Sequence, residues 1–558
     1  MAFIEIDNVS FQYSDASNRA INQFSLTIEE GEFIVLAGPS GCGKTTLLKL
    51  LKKELTPVGI LSGRIRYNDR PLEWLEEATS SQEIGYVFQN PENQIVMEDV
   101  LSELVFGMEN MRVKPEEMRQ RVAEMVHFFG LAHLLHCETH SLSGGQKQLL
   151  NLASVLLLKP KLLLLDEPTS QLDPVQAKEF LQFLKRLNEE FGLTIVLVEH
   201  RLEELYSLAD RMVFLDEGST QYTGNPKWVI QQIWKKRDDR FLAYLPSISQ
   251  LFFYVQSKEV HFSEVPITVK ESHKWLNQLP EIDVIRHVSP VANSKKEIIL
   301  RCKQIHYKYR KEGPYVLKNL SLEVNEGDFL AVVGGNGSGK STLLKCCANI
   351  IKPLKGTVFL KNNKIKTYKN ETLEREMGYL PQNPLLCFMA ETLEEELMNL
   401  AQRLNINDPR VRIEALTKQL GVHSILQKHI HDCSGGEQQK AALATILFTN
   451  PRLLLVDEPT KGMDPVSKQQ FAGLLKELHE MGKTIMMVTH DIEFAANYAT
   501  RCVMIFDGMI TVDGSVGQVL KGNYFYTTAV NRVTRGSKVA EVLTLEEACT
   551  SWRIPVPF

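Results

Sequence analysis

The sequence predicts an α/β fold that is built twice, in tandem, from a single chain. The pattern G-x-x-x-x-G-K-[ST] occurs at residues 38–45 and again at 334–341. Each copy follows a short apolar run and precedes a stretch typical of a helix start, which is the context that a phosphate-binding loop requires. Other short motifs follow each copy in the same order. We therefore expect two similar halves, each organised around a nucleotide.

Length, composition and charge agree with this prediction. The 558 residues exceed what one core supports, and 44% hydrophobic with 23% charged residues is ordinary globular composition. A net charge of −5 without blocks of like charge argues against nucleic acid as the partner. Nine cysteines without a C-x-x-C pair favour a reducing compartment.

The chain is not expected to cross a membrane by itself. It contains no run of about 18 apolar residues, and its N-terminus lacks the basic and apolar regions of a signal peptide. A role at a membrane would therefore come through a partner.

The glycine-rich loops have the chemistry to hold the phosphates of ATP. Glycines let consecutive backbone N–H groups turn inward, and Lys44 or Lys340 supplies a positive charge. Thr45 or Ser341 offers a hydroxyl group to Mg²⁺. The residues expected to contact ATP in the two loops are Gly38, Pro39, Ser40, Gly41, Cys42, Gly43, Lys44, Thr45 and Thr46, and Gly334, Gly335, Asn336, Gly337, Ser338, Gly339, Lys340, Ser341 and Thr342.

Two further residue types recur where they could contact the nucleotide. Tyr13 and Tyr309 follow the first strand of each half, where a ring could stack on adenine, although edge packing is the alternative. Gln89 and Gln382 each end an apolar run. A lone glutamine there is usually a solvated cap, but its recurrence beside a phosphate loop favours a ligand of Mg²⁺ or water on a hinge.

Two apolar strands end in paired carboxylates. Consecutive residues of a strand point to opposite faces, so the two acids of a pair cannot do the same work. Asp166 and Asp457 suit the coordination of Mg²⁺. Glu167 and Glu458 suit the activation of a water molecule.

A further strand in each half ends at a histidine, His200 or His490. Taken alone, such a histidine would more often be structural. The residue before it differs between the halves, Glu199 against Thr489.

Each half also contains a helix-rich stretch, at residues 100–135 and 393–426, with apolar residues at helical spacing. A Ser-Gly-Gly segment then opens another helix, either as a simple N-cap or as a second site for phosphate. The residues expected to bind ATP here are Ser143, Gly144, Gly145 and Gln146, and Ser434, Gly435, Gly436 and Glu437.

The spacing indicates a duplicated domain. Lys44 and Lys340 lie 296 residues apart, and the two strand-end glutamines lie 293 apart. The first acids of the carboxylate pairs lie 291 apart and the histidines 290. An offset that drifts by so little across five motifs is typical of an internal repeat.

In this order the motifs resemble those of an ATP-binding-cassette (ABC) ATPase. The resemblance covers about residues 2–226 and 298–522, including the Leu-Ser-Gly-Gly-Gln signature and the loops at residues 170–173 and 461–464. More narrowly, residues 88–95, Phe-Gln-Asn-Pro-Glu-Asn-Gln-Ile, resemble the fused tandem ATPases of energy-coupling-factor (ECF) vitamin importers.

The resemblance implies two tandem P-loop NTPase domains of the ABC type, each with a helical subdomain. It implies Mg²⁺-dependent ATP hydrolysis that drives uptake of a vitamin or related micronutrient from the cytoplasmic face of the cell membrane. The implied catalytic residues are Glu167, His200, Glu458 and His490. The implied partners are a transmembrane scaffold (T component) and a substrate-binding membrane protein (S component).

The resemblance also implies head-to-tail pairing of the halves, so that each ATP site takes residues from both. One site would be formed by Lys44, Gln89, Glu167 and His200 with Ser434, Gly435 and Gly436. The other would be formed by Lys340, Gln382, Glu458 and His490 with Ser143, Gly144 and Gly145.

The second signature departs from the family pattern, with Cys433 where leucine is usual and Glu437 where glutamine is usual. The rate of ATP hydrolysis at the site with Lys44 is therefore expected to be lower or specially adjusted. Both glutamates and both histidines remain, so neither site is expected to be inactive.

A docking role is expected for Glu103 and Glu396, which occupy equivalent places after the two glutamines. In the ECF family a scaffold is thought to insert basic-tipped helices there, and a carboxylate would pair with arginine. A solvated helix charge is the alternative.

The expected domains are an ABC ATPase domain at residues 1–228, a folded linker or appendage at 229–296, a second ABC ATPase domain at 297–520 and a C-terminal appendage at 521–558. The linker is rich in aromatic residues and is therefore expected to fold. Thr268 and Thr544 each begin a capping-box pattern that opens a helix at a similar distance beyond its half.

Two other functions fit a tandem cassette. A protein acting on ribosomes or DNA usually carries a long charged arm or cysteine zinc sites between its cassettes, and residues 229–296 have neither. A fused ATPase of a simple-sugar importer also joins two cassettes. Only residues 90–95 and the two intact sites argue against it.

Overall fold

The computed structural model describes residues 3–256, 261–279 and 297–554. These residues form two compact units. The first unit comprises residues 3–246 and 261–267, and the second comprises 247–256, 268–279 and 297–554.

The first unit consists of two sheets with helices around them. Its elements are β1 (Ile4–Tyr13), β2 (Ile21–Ile28), β3 (Phe33–Ala37), α1 (Lys44–Leu50), β4 (Gly59–Tyr67), β5 (Arg70–Pro71), α2 (Glu77–Glu83), β6 (Ile84–Val87), α3 (Val100–Asn110), α4 (Pro115–Phe129), α5 (Gly144–Leu156), β7 (Leu162–Asp166), α6 (Pro174–Phe191), β8 (Thr194–Val198), β9 (Arg211–Asp216), β10 (Ser219–Gly224), α7 (Pro226–Lys236) and α8 (Asp239–Leu242). The strands pair in the orders β2-β1-β4-β5 and β10-β9-β3-β8-β7-β6.

The second unit repeats this plan. Its elements are α9 (Ser247–Val255), α10 (Val269–Leu276), β11 (Ile298–Tyr307), β12 (Leu317–Asn325), β13 (Phe329–Val333), α11 (Lys340–Cys347), β14 (Lys355–Leu360), β15 (Asn363–Lys364), α12 (Asn370–Glu376), β16 (Met377–Leu380), α13 (Leu393–Arg403), α14 (Pro409–Gln419), α15 (Gly435–Leu447), β17 (Leu453–Asp457), α16 (Pro465–Glu480), β18 (Thr484–Val488), α17 (Ile492–Tyr498), β19 (Arg501–Phe506), β20 (Met509–Ser515), α18 (Val516–Leu520), α19 (Ala529–Thr534) and α20 (Leu545–Ser551). The strands pair in the orders β12-β11-β14-β15 and β16-β17-β18-β13-β19-β20.

The central strands of each larger sheet are parallel and buried. In the first unit β3 pairs with β8 and β9, and β7 pairs with β6 and β8. Every residue of β3, β7 and β8 is buried, which explains why the sequence shows continuous apolar runs rather than alternation. The carboxyl ends of parallel strands meet at one edge of a sheet, where ligands bind in α/β folds. The predicted duplicated α/β fold is confirmed.

The helix-rich stretches are confirmed as well. Residues 100–135 contain α3 and α4, and residues 393–426 contain α13 and α14. Helices α5 and α15 begin directly after Ser143 and Ser434, as the Ser-Gly-Gly segments predict.

The residues between the two cassettes are divided between the units. Helix α7 packs against β9 and β10 of the first unit. Helix α9 packs instead against α19 and α20 of the second unit, and α10 packs against α19. Phe252 of α9 and Trp275 of α10 are buried there, with ring centroids 5.2 Å apart. Residues 280–296 of the expected linker lie outside the described residues.

Both predicted helix starts beyond the cassettes are found. The Thr268 hydroxyl accepts the backbone N–H of Glu271 (3.2 Å), and the Thr544 hydroxyl accepts that of Glu547 (3.1 Å). The Glu547 carboxylate binds the N–H of Leu543 (2.7 Å) and not that of the N-cap, so this end differs from a full capping box.

Candidate nucleotide site

The glycine-rich loop of the first unit joins β3 to α1. Gly38 and Gly43 have φ angles of 144° and 102°, which few other residues adopt. A Cβ atom would lie 2.2 Å from a backbone oxygen at Gly38 and 2.3 Å from one at Gly43. The second loop repeats this at Gly334 and Gly339, whose φ angles are 154° and 101°. The loops therefore need glycine at these places. The predicted residues between the two glycines form the turn, and Lys44, Thr45 and Thr46, like Lys340, Ser341 and Thr342, begin the helix that follows.

A lysine ammonium group lies inside each loop. Lys44 is only 5% exposed, and its Nζ donates to the carbonyls of Gly38 (2.7 Å) and Pro39 (2.8 Å). Lys340 donates to the carbonyls of Gly334 and Gly335, both at 2.9 Å. A buried positive charge held by the carbonyls of a glycine-rich loop, at the start of a helix, fits an anion such as phosphate.

Two of the three predicted Mg²⁺ ligands lie together in each unit, and the third, Gln89 or Gln382, contacts the neighbouring glutamate instead. The Thr45 hydroxyl donates to Oδ1 of Asp166 (3.0 Å), and the Ser341 hydroxyl donates to Oδ1 of Asp457 (2.8 Å). Burial, with the neighbouring charge of Glu167, raises the pKa of Asp166 to about 6. Burial also raises the pKa of Asp457. Ionising these buried carboxyl groups is costly, and a bound cation nearby would offset that cost.

The donor set fits Mg²⁺ in another respect. Among residues 3–256, 261–279 and 297–554, no group of three or more His, Cys, Asp or Glu side chains could hold a metal. Mg²⁺ is commonly bound by one or two carboxylates together with phosphates and water. A hydroxyl and a carboxylate beside a phosphate loop match that description.

The first unit brings the strand-end glutamine and histidine to the same glutamate. Nε2 of Gln89 donates to Oε2 of Glu167 (2.7 Å), and Nε2 of His200 lies 2.9 Å from Oε1 of Glu167. Glu167 has a φ angle of 45°, a left-handed backbone that costs a non-glycine residue about 1 kcal/mol. The turn therefore holds this carboxylate at some energetic cost.

The second unit has a similar arrangement with different distances. Nε2 of Gln382 donates to Oε2 of Glu458 (2.9 Å), and Nδ1 of His490 lies 3.4 Å from that oxygen. Burial alone would raise the pKa of Glu458, but the hydrogen bond and charge of His490, with Lys340 and Lys461, lower it to about 2. Glu458 is therefore ionised at neutral pH.

The two predicted adenine-stacking tyrosines lie against the helix that follows each glycine-rich loop. The Tyr13 hydroxyl is 2.9 Å from Oγ1 of Thr46, and that of Tyr309 is 3.1 Å from Oγ1 of Thr342. Tyr309 is 61% exposed. This places an aromatic side chain beside the phosphate loop of each unit.

The signature segments form closely similar helix starts. Ser143 and Ser434 each make a capping box, in which the side chain of Gln146 or Glu437 accepts the N–H of the serine (2.8 and 2.7 Å). Glu437 thus makes the same local bond as the usual glutamine. Cys433 is buried to the same extent as a leucine in that place in the first unit. The two departures therefore leave the local fold of the second signature unchanged.

Glu103 and Glu396 have a different role from the surface role expected for them. They are 5% and 7% exposed. One carboxylate oxygen of Glu103 accepts the N–H groups of Val96 (2.9 Å) and Met97 (2.8 Å). Glu396 does the same for two consecutive N–H groups of its own half (2.7 and 3.0 Å). Both carboxylates therefore shape the loop that follows the glutamine, and neither is a solvated charge. A salt bridge from the same carboxylate oxygens to a partner would compete with these hydrogen bonds.

Two residues near the carboxylates escaped the sequence analysis. The hydroxyls of Tyr86 and Tyr379 donate to Oδ2 of Asp166 and Asp457, both at 3.3 Å. Tyr86 and Tyr379 lie 293 residues apart, as the two glutamines do, and this shared offset is the signal that could have identified them.

The fold and this geometry define a P-loop nucleotide-binding ATPase domain that is present twice. The family described as ABC transporter matches residues 21–170 and 317–461. The chain therefore belongs to the ABC transporter family, as an ATP-binding component. Members of this family bind ATP with Mg²⁺ and hydrolyse it. None of the helices within the described ranges has the length and apolar character needed to span a bilayer.

Relatives of the chain are similar over almost its whole length. A Bacillus thuringiensis protein provisionally named as an ABC transporter ATP-binding protein is 44% identical, with 98% of each chain covered. A Bacillus subtilis protein provisionally named HMP/thiamine import ATP-binding protein YkoD is 30% identical, with 92% of each covered. The solved structure of cbiO1 from Clostridium perfringens, described as part of the ABC transporter complex cbiONQ, is 31% identical with a TM-score of 0.38, covering 43% of this chain and 96% of that one.

Proposed function

We propose that this chain is the energy-coupling ATPase of an ECF-type importer for a vitamin or related micronutrient. The observation that carries the proposal is the stretch at residues 88–95, which resembles the fused ATPases of that class. A relative that matches nearly the whole chain and is named for HMP/thiamine import supports it. The partners would be a transmembrane scaffold and a substrate-binding membrane protein, and the chain would lie at the cytoplasmic face of the membrane.

In the proposed reaction, Glu167 and Glu458 are general bases that take a proton from the attacking water. His200 and His490 hold these carboxylates, and the lysine of each loop neutralises phosphate charge. Bound Mg²⁺ would supply charge stabilisation at the phosphates, held by the hydroxyl and aspartate pairs described above. The serines that cap α5 and α15 are proposed to donate to the phosphate bound by the opposite half.

Docking of the scaffold is proposed at exposed residues beside the buried Glu103 and Glu396. In the second unit, Glu394 and Glu395 line a cavity of about 560 Å³ together with Arg410. The exposed carboxylate of Glu395 and the half-buried one of Glu394 suit a basic element of the partner. If the loop after the glutamine moves when ATP binds and is hydrolysed, it would displace a helix of the scaffold that is bound at this surface.

The proposal is tested by isolating the tagged chain from its own cells in mild detergent and identifying the proteins that accompany it. A multi-span scaffold together with a small substrate-binding membrane protein is the expected result. Recovery of a sugar-importer permease, or of ribosomes, would contradict the proposal. The double variant Glu394→Arg with Glu395→Arg should lose the scaffold. Its control is Glu477→Arg with Glu480→Arg, on an exposed face of α16, which should retain it.

A further inference from the structure

Glu199 is a buried carboxylate that the proposed reaction does not use directly. It follows β8, comes immediately before His200 and is 2% exposed. Its Oε1 accepts the backbone N–H (2.8 Å) and the hydroxyl (2.6 Å) of Thr169. Its Oε2 accepts the backbone N–H of His200 (3.1 Å).

These bonds join two turns that carry the reacting groups. Thr169 lies two residues after Glu167, and His200 directly follows Glu199. The carboxylate of Glu199 therefore bridges the turn that holds the proposed base and the turn that holds its histidine. A second link lies next to it, because the guanidinium of Arg201 donates to the carbonyl of Leu172 (3.2 Å).

The second unit has no carboxylate at this position. Thr489 occupies the place of Glu199, and its hydroxyl accepts the N–H of Asp491 within its own turn (2.9 Å). Asp491 in turn caps α17 by accepting the N–H of Phe494 (2.9 Å) and forms an ion pair with Lys468 of α16. Through Asp491 the second histidine turn is thus tied to α16 and α17.

The second unit also shows that the fold does not need a carboxylate at this place. Removing a carboxylate from water is costly unless hydrogen bonds compensate for it. Burial accordingly raises the pKa of Glu199. A threonine would avoid that cost, as it does in the second unit.

We infer that Glu199 is a positioning residue that fixes Glu167 and His200 relative to each other, so that the two ATP sites differ in how rigidly the base is held. This inference rests on the proposed role of Glu167 as general base. The histidine contacts differ as well, because Nε2 of His200 lies 2.9 Å from Glu167 whereas the other ring nitrogen, Nδ1, of His490 lies 3.4 Å from Glu458. A base that is held less firmly should lower kcat more than it changes the KM for ATP, because the base acts only in the transition state.

The test compares Glu199→Thr, which copies the second unit, with Glu199→Gln in the full-length chain. The amide of glutamine keeps an oxygen for Thr169 but loses the acceptor for His200. We expect Glu199→Thr to lower kcat about ten-fold in the Glu458→Gln background, where turnover is left to the first site, with KM for ATP and the thermal unfolding midpoint unchanged. Glu199→Gln breaks only the bond to His200 and should therefore lower kcat less than Glu199→Thr does. Both variants are measured in the wild-type and the Glu458→Gln background.

An unchanged kcat for Glu199→Thr in both backgrounds would overturn the inference. So would a loss that is accompanied by a lower unfolding midpoint, or an equal loss in Glu199→Gln. The variant Glu167→Gln distinguishes an error in the role of Glu199 from an error in the proposed reaction. If Glu167→Gln turns over normally in the Glu458→Gln background, the base assignment itself is wrong. If it abolishes turnover, adding Glu199→Thr should have no further effect.

Discussion

At the scale of single residues, Asp166 makes the nucleotide-free protein sensitive to pH. Its pKa is raised from an ordinary 3.8 to about 6, so between these values the unfolded chain has released the proton that the folded chain still holds. The free energy of unfolding therefore falls as pH rises, by up to about 3 kcal/mol above pH 6. Asp166→Asn should raise the unfolding midpoint at pH 7.5 without Mg²⁺ or ATP.

The advantage of Asp166→Asn should shrink as the pH falls below 6, and it should vanish below the ordinary value of 3.8, where both states hold the proton. Thermal unfolding at four or five pH values measures this. Asp15→Asn, in an exposed turn, is the matched control and should show no such dependence. An Asp166→Asn protein that is less stable at every pH would contradict the prediction.

The two proposed bases belong to the same scale. The double variant Glu167→Gln with Glu458→Gln should bind ATP as the wild type does, because glutamine fills the same space without a proton acceptor of comparable strength. Its steady-state turnover should fall about 100-fold or more. Glu189→Gln with Glu480→Gln, on exposed helix faces, serves as the control. Undiminished turnover in the first variant would remove both glutamates from the role of base.

Recurrence between the halves marks positions in the sequence, but it does not show which groups those residues bind. Lys44, Gln89 and Asp166 each have a counterpart at a nearly constant offset. The buried carboxylates of Glu103 and Glu199 bind N–H groups of other turns, and nothing in the residue string shows which N–H groups a fold leaves without a partner. Their roles therefore required the three-dimensional structure.

At the scale of elements, the starts of α5 and α15 distinguish the two proposed sites. If the halves pair head to tail, Ser434→Arg should reduce ATP trapped at Lys44, whereas Ser143→Arg should reduce ATP trapped at Lys340. The reason is that arginine places bulk where the phosphate from the opposite half is expected. Photo-crosslinking of trapped nucleotide, followed by mapping of the labelled half, measures this.

The control for this prediction is alanine at the same serine. Alanine removes the N-cap bond at a cost of about 1 kcal/mol but adds no bulk. It should therefore reduce trapping much less than arginine does. Loss of label at Lys44 on changing Ser143 rather than Ser434 would show that the assignment of the sites is reversed.

Strands and helices of the cassettes could be predicted because local pattern and burial agree. The run from Leu162 to Asp166 reads as a buried strand, and every residue of β7 is buried. Helix starts at Ser143 and Thr268 were visible because a hydroxyl residue precedes an apolar periodic stretch. Such signals are local and do not depend on which other element packs nearby.

At the scale of the whole molecule, the spacing of motifs predicted two units, but the division of the linker could not be predicted. Helices α9 and α10 are amphipathic, and an apolar face indicates burial without naming its partner. Only the structure shows that Phe252 and Trp275 are buried with the second unit.

The placement of α9 and α10 determines which fragments of the chain should fold by themselves. A boundary drawn where the motifs suggest, just before Ile298, would remove from the second cassette four buried side chains: Leu251, Phe252, Trp275 and Leu276. Each contributes about 1.5–3 kcal/mol by burial, and together they approach the whole stability of a typical domain. A fragment of residues 247–554 should therefore give a sharp unfolding transition, whereas 297–554 should be poorly soluble or unfold at a much lower temperature. Equal midpoints for both fragments would contradict this. The second unit begins at residue 247, inside the segment that the sequence predicts as a folded linker or appendage, and residues 261–267 return to the first unit, so that no single cut separates the two units cleanly.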